Sequence, residues 1–235
     1  MCGIAGFADT TVRHGTVTGD RSRLKLMCDV MRHRGPDDDG FYVEPGVAIG
    51  MRRLSIIDLS TGHQPIHNEE RSVWVVFNGE IYNYRELRDA LEAAGHQFYT
   101  ASDTETIVHG YEEWGEQVFA KLRGMFAIAI WDARTRTLLV ARDRAGIKPL
   151  YYGEGGGRLF FGSEAKCLLV NPEIDRDIDL AALDHYLAYL YTPRDRAIFN
   201  GIRKLPPGHY LKLHNGRLSI DRYWQLPIVE TFRGS

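Results

Sequence analysis

Cysteine is scarce: Cys2, Cys28 and Cys167 are the three in 235 residues, and no two stand in C-x-x-C spacing. That excludes a disulfide framework and a cysteine-based zinc site, and it suits a reducing, cytoplasmic setting. No apolar run nears the roughly 20 residues that cross a bilayer; the longest, around Met125–Trp131, has the length of a buried strand. No basic run stands out and the formal net charge is −2, so there is no electrostatic footprint for nucleic acid. Nine histidines are scattered, and the pair four apart, His63 and His67, has Pro65 between them, so none forms the i, i+4 pair of a helical metal site. Repeats, low-complexity linkers and a regular βαβ alternation are missing too. What is present, 44% hydrophobic and 26% charged residues, is ordinary for a globular chain able to bury a core in one domain or two small ones.

Short strand-like runs mix with amphipathic helices. Leu24, Met27, Cys28 and Met31 recur at helical spacing, which puts Cys28 on a packed face. The Arg34-Gly35-Pro36-Asp37 stretch breaks that helix, and Val47–Ile57 and Val73–Phe77 read as strands. Leu87, Leu91 and Ala94 mark a second helix stopped by Gly95; Ser102-Asp103-Thr104-Glu105 has capping-box spacing and opens a third, with Ile107, Val108, Tyr111 and Trp114 on one face. Met125–Trp131, Leu138–Ala141 and Leu159–Gly162 read as strands, and the glycine run Gly153–Gly157 as a flexible hairpin tip. Leu180, Leu183, Leu187 and Leu190 form a further helical stripe before strands at His209–Leu213 and Leu218–Trp224. Many strands with a few helices favour the α+β class.

Cys2 carries the most chemistry. Once Met1 is removed, its thiol and a free α-amine, a base of pKa roughly 7.7–8.0, belong to one residue, so nucleophile and proton acceptor coincide. The competing reading is a small buried hydrophobe at an ordinary start; a lipid-anchored cysteine lacks the preceding basic and apolar signal. Asn78-Gly79 between apolar runs is a strong tight-hairpin signal, with an oxyanion hole made by the Asn78 amide and the Gly79 N–H as the functional alternative. Arg52 and Arg53 are either strand-edge charges facing water or a bidentate grip on a carboxylate. Asp103 is either a helix-start acid or the partner of an ammonium.

Together Cys2–Gly6, His33–Asp37, Arg53–Asp58, Phe77–Asn83, Ser102–Glu105, Gly124–Ala127, Arg142–Tyr152, Phe161–Lys166 and Leu205–His209 resemble the motif series of the class II glutamine amidotransferases. Among these, the chain is most similar to the amino-terminal glutaminase half of glutamine-hydrolysing asparagine synthetases. The resemblance implies a four-layer αββα sandwich of two antiparallel sheets, the N-terminal-nucleophile hydrolase fold, over residues 2–224, with 225–235 a linker stub or appended tail. It implies Cys2 as nucleophile, Asn78 and Gly79 as oxyanion holders, Arg53 on the substrate α-carboxylate, Glu80 and Asp103 on its α-ammonium, and backbone groups of Ile56 and Ile57 in the same pocket. The reaction implied is glutamine hydrolysis through a Cys2 thioester, with no metal or organic cofactor in this chain. ATP and magnesium belong to an ATP-dependent synthetase domain or subunit that would receive the ammonia, and whose S-G-G-x-D-S loop is not in this sequence.

Glu164 and Lys166 are either ordinary surface charge or part of that junction, and a homodimer is left open. Met51 stands where the asparagine synthetase pattern commonly has histidine. The rival readings are the glutaminase of an amidotransferase with another acceptor, an N-terminal-cysteine amidohydrolase of acyl amides, which has no need of both Arg53 and Asp103, and a degenerate docking domain.

Overall fold

The computed structural model describes residues 2–10, 17–54, 62–193 and 195–227. In chain order the strands are β1 (Gly3–Asp9), β2 (Asp38–Glu44), β3 (Val47–Arg53), β4 (Ile66–His67), β5 (Val73–Ile81), β6 (Gly124–Asp132), β7 (Thr137–Arg142), β8 (Tyr151–Gly155), β9 (Arg158–Gly162), β10 (Arg203–Lys204), β11 (His209–His214) and β12 (Arg217–Arg222). The helices are α1 (Val17–Asp29), α2 (Tyr84–Ala93), α3 (Asp103–Trp114), α4 (Val118–Lys121), α5 (Ala165–Leu169) and α6 (Leu180–Tyr189). One sheet runs β10-β8-β9-β1-β3-β2 and the other β12-β11-β7-β6-β5-β4. Every pairing is antiparallel.

The layers follow from the two-residue period of a strand. Ile4, Val47, Ile49 and Met51 of the first sheet meet Val76, Ala127, Ala129, Val140 and Leu211 of the second in a core between the sheets. The alternate residues face outward: Ala5, Phe7, Ala48 and Phe160 lie under Leu24, Met27, Cys28 and Met31 of α1. Likewise Val75, Phe77, Phe126, Ile128 and Ile130 lie under Ile107 and Val108 of α3. Helix, sheet, sheet, helix is the αββα sandwich. Both faces of the central strands are covered, so they read as continuous apolar runs rather than alternating ones.

Several expectations change on contact with the fold. Asn78-Gly79 is not a hairpin turn: it lies inside β5, which pairs with β6 without a break from Val73↔Asp132 to Ile81↔Gly124. Two-residue turns with positive φ at both positions, as a type I′ loop requires, are instead at Gly156-Gly157 (59° and 76°), joining β8 to β9, and at Asn215-Gly216 (50° and 74°), joining β11 to β12. β3 ends at Arg53, and the rest of the expected Val47–Ile57 strand beyond Leu54 lies outside the described residues. Only half of the capping box forms: Ser102 Oγ accepts from the Thr104 N–H, while Glu105 turns to Tyr99 and Thr100 instead. The stripe on α6 faces outward, with Leu180 75%, Leu187 72% and Leu190 78% exposed. Helical spacing shows that apolar residues share a face; it does not show that the face is covered. Met51 sits in the core between the sheets, which explains an apolar residue there.

Candidate active site

β1 places Cys2 at the end of the inter-sheet core, against which its side chain packs half-buried. Three contacts fix it. The Leu54 N–H, just past β3, donates to Sγ at 3.4 Å, and Sγ lies 3.7 Å from the Leu54 carbonyl oxygen. Arg34 Nε donates to the Cys2 carbonyl at 3.0 Å. Arg34 is in turn held by Glu164 at 3.1 Å, and Glu164 also binds His33 and Lys166. The turn Arg34–Asp37 thus buttresses Cys2, and Glu164 backs that buttress.

Facing Cys2 across a cleft of about 190 Å3 are Arg53, Asn78, Gly79, Glu80, Asp103 and Lys148, with Gln64 and Met125 among the other lining residues. The cleft exists because β4 is two residues long, so β5 runs on past its neighbour with an open edge. Along that edge the Phe77 N–H donates to Gln64 Oε1 at 2.6 Å and the Ile81 N–H to Asp103 Oδ2 at 2.9 Å. Gly79 lies between them and opposes Phe126, whose own N–H and C=O are engaged with Asp143 on the far side. A pair of this kind exchanges no ladder hydrogen bonds, so the Gly79 N–H points with its neighbours toward the open edge. A Cβ at Gly79 would stand 2.1 Å from the Met125 carbonyl oxygen, so the site requires glycine for sheet packing. Asn78 is 1% exposed, and its Nδ2 is buried without a hydrogen-bond partner among the described residues. Such an orphan donor costs about 1–3 kcal/mol and fits a function at a site of developing charge.

The charged groups pair by sign. Arg53, 7% exposed, and Lys148, 6% exposed, are the lining cations. Arg52 turns to the other face of the sheet, where it binds Asp29 and, at 2.7 Å, Asp39. Both arginines are therefore buried rather than facing water. Burial pushes the Glu80 carboxyl up, neighbouring Asp103 adds to this, and Lys148 opposes it. Burial also raises Asp103, against the hydrogen bonds from the Ile81 and Thr104 N–H groups. A cation bound between these two carboxyls would favour the charged form of both. The cleft brings together no trio of metal-ligating side chains among the described residues. Ile56 and Ile57 lie outside the described residues.

Residues 1–224 match the glutamine amidotransferase domain family. The chain belongs to that family. It is 40% identical over 228 residues to asparagine synthetase [glutamine-hydrolyzing] 1 of Bacillus subtilis, covering 96% of this chain and 35% of that protein. It is 44% identical over 172 residues to asparagine synthetase [glutamine-hydrolyzing] 2 of Oryza sativa subsp. japonica, covering 72% and 28%. The chain thus spans about a third of the length of these curated relatives. Among solved structures, glutamine phosphoribosylpyrophosphate amidotransferase from B. subtilis shares the fold with a TM-score of 0.65 at 19% identity, over 96% of this chain and 50% of that one.

Four residues of this amidotransferase domain, Lys148, Asp143, Arg142 and Gln64, escaped sequence reasoning, which gave them no role. Lys148 reaches the cleft because the buried Asp143 carboxylate accepts the Phe126, Ala145, Ile147 and Lys148 N–H groups at 2.9–3.1 Å. Arg142 fastens the same loop to the carbonyls of Gly146, Lys148 and Leu205, each at 2.8 Å. Gln64 satisfies the strand edge beside Asn78. The dense run Arg142-Asp143-Arg144 was the available signal: charges within an apolar neighbourhood need partners.

Proposed function

We propose that this domain hydrolyses L-glutamine to L-glutamate and ammonia through a Cys2 thioester. The carrying observation is the convergence, in one small cleft, of the Cys2 thiol, the orphaned Asn78 amide and a rim with two charges of each sign. Glutamine is a zwitterion; Arg53 suits its α-carboxylate, and Glu80 with Asp103 suits its α-ammonium. Once Met1 is removed, the Cys2 amine takes the thiol proton as sulfur attacks the side-chain amide carbon. The carbonyl oxygen becomes an oxyanion that accepts from Asn78 Nδ2 and the Gly79 N–H. Collapse breaks the C–N bond, the ammonium form of the Cys2 amine returns its proton to the leaving nitrogen, and ammonia departs. Water, deprotonated by the same amine, then attacks the thioester and releases glutamate and the thiol.

The cleft volume is below the roughly 300–1,000 Å3 usual for drug-sized ligands, which favours an amino acid over a bulky acyl amide. The exposed apolar face of α6 gives a partner a surface to cover. Ammonia would pass to an ATP-dependent synthetase domain or subunit making asparagine, in the cytoplasm, where Cys2 stays reduced. The test is parallel release of glutamate and ammonia from glutamine by protein lacking Met1, abolished in Cys2→Ser. Cleavage of hydrophobic acyl amides in preference to glutamine, or full activity with Met1 retained, refutes the reading.

A further inference from the structure

Away from the cleft, the fold gathers side chains that the sequence keeps apart. His96 follows α2, His109 and Glu112 lie one turn apart on α3, and their ligand atoms all fall within 4.8 Å of one another. We propose that His96, His109 and Glu112 form a structural site for a divalent transition-metal ion of the zinc type, separate from the glutamine cleft.

The spacing carries the proposal first. Metal–ligand bonds of about 2.0–2.1 Å at tetrahedral angles put ligand atoms about 3.3 Å apart. His109 Nδ1 and Glu112 Oε2 are 3.2 Å apart. His96 Nδ1 is 4.0 Å from the same oxygen, so a small rotation of one half-buried imidazole closes the set. Glu69 Oε2, 4.0 Å from His109 Nδ1, or a water completes four-coordination.

The surroundings carry it further. A metal-bound histidine characteristically directs its other nitrogen to a carboxylate, and its carboxylate co-ligands are themselves hydrogen-bonded. Here His109 Nε2 faces Glu105 Oε1 at 3.4 Å, with both side chains fully buried. Glu105 is locked by the Tyr99 and Thr100 N–H groups at 2.7 Å and by Thr100 Oγ1 at 2.6 Å. Asn68 Nδ2 donates at 2.7 Å to the Glu112 oxygen turned away from the histidines. Three carboxylates, Glu69, Glu105 and Glu112, surround the buried His109 imidazole, with Arg134 facing Glu112 at 3.9 Å. Neutral-nitrogen and carboxylate donors without thiolate select zinc and its neighbours over magnesium or calcium. An ion there would tie α3, whose first residue Asp103 lines the cleft, to the 96–100 segment and the turn at Asn68.

The experiment uses the full chain with Cys2→Ser, which removes the accessible thiol as a competing ligand, after chelator stripping. Calorimetric titration with Zn2+ should give one ion per chain, with a rise in Tm that grows with Zn2+ concentration. Co2+ should give tetrahedral visible bands without thiolate charge transfer. His96→Ala, at a partly exposed position whose loss leaves the fold intact, should weaken Zn2+ binding at least tenfold and lower the Co2+ absorption. Glu105→Gln should weaken it roughly 10–100-fold. Absence of saturable Zn2+ binding, or equal affinity in His96→Ala, overturns the proposal and leaves a charge network alone. None of these readouts depends on glutamine turnover.

Discussion

Replacing Asn78 with alanine separates catalysis from folding more sharply than any other single change. Asn78 is buried to 1% exposure, yet its Nδ2 finds no acceptor among the described residues. The resting protein therefore carries an unsatisfied donor worth about 1–3 kcal/mol of destabilisation. Asn78→Ala removes that cost and leaves a small cavity of opposite effect, so Tm should move little. On the proposed mechanism the same Nδ2 meets an oxyanion in the transition state, and loss of one such donor costs about 2.7–4 kcal/mol, or roughly 10²–10³ in kcat. The Gly79 N–H remains, which keeps turnover above background. KM should stay within a few-fold, because on the same proposal Arg53, Glu80 and Asp103 hold the two charged ends of glutamine. Initial rates of glutamate formation across glutamine concentrations, with a melting curve on the same preparation, read all three quantities. Near-normal kcat would remove Asn78 from the mechanism; a large fall in Tm together with raised KM would make it a structural residue instead.

Other perturbations have equally definite outcomes. Because burial holds Glu80 and Asp103 above the ordinary carboxylate range, KM for glutamine should climb on acidification while the pH is still above about 4. Over that window these two groups contribute the reverse to folding, since a carboxyl that binds protons more readily when folded favours the folded state as pH falls. Their partial stability change should therefore be a gain, measurable as a smaller acid-induced fall in Tm than in Glu80→Gln; that variant should raise KM about tenfold, as expected for a lost charge-assisted contact, without lowering Tm at pH 7. Asp143→Ala strands the buried Phe126 and Lys148 N–H groups and the part-buried Ala145 and Ile147 ones and should cost about 3 kcal/mol, a drop of roughly 6–12 °C in Tm for a chain of this size. Iodoacetamide should label Cys2 alone in the native protein, by intact mass, because Cys28 and Cys167 are fully buried and burial pushes both thiols up, Cys167 to about 12; native labelling of either buried cysteine contradicts the packing.

How much was legible in the chain depended on whether the signal was local. Helical periodicity located α1, α2 and α3, and apolar runs located β5, β6, β7 and β9, because each pattern is repeated within one element. β1 and β2 went unassigned: Gly3-Ile4-Ala5-Gly6-Phe7 and Asp38-Asp39-Gly40-Phe41 have little β propensity and become strands only by pairing with β3 on either side. Asn78-Gly79 shows the converse. A local turn signal lost to nine consecutive pairings with β6, and those pairings leave the glycine N–H facing the cleft. Of the residues quoted for the family resemblance, Cys2, Arg53, Asn78, Gly79, Glu80, Asp103, Met125 and Lys148 line one cleft, and Gln64, outside those stretches, joins them; Lys148 and Gln64 arrive through loops whose geometry is set by distant partners.

The same distinction bears on the cleft itself. An oxyanion hole needs donors that are fixed and unpaired, and a sheet normally pairs every donor it has. Here the difficulty is met by stopping β4 after two residues while β5 continues for six beyond Val75, the last residue paired with β4. Gln64 and Asp103 then satisfy the donors on either side of Gly79, so the open stretch of edge is a single peptide. Extending β4 at its amino-terminal end, where the register of Ile66↔Val75 sets Gly62 opposite Gly79, by β-branched residues at Gly62 and His63, should abolish turnover with Tm maintained or raised. Retained turnover in a variant shown by amide exchange to protect the Gly79 N–H would mean that the oxyanion is held elsewhere.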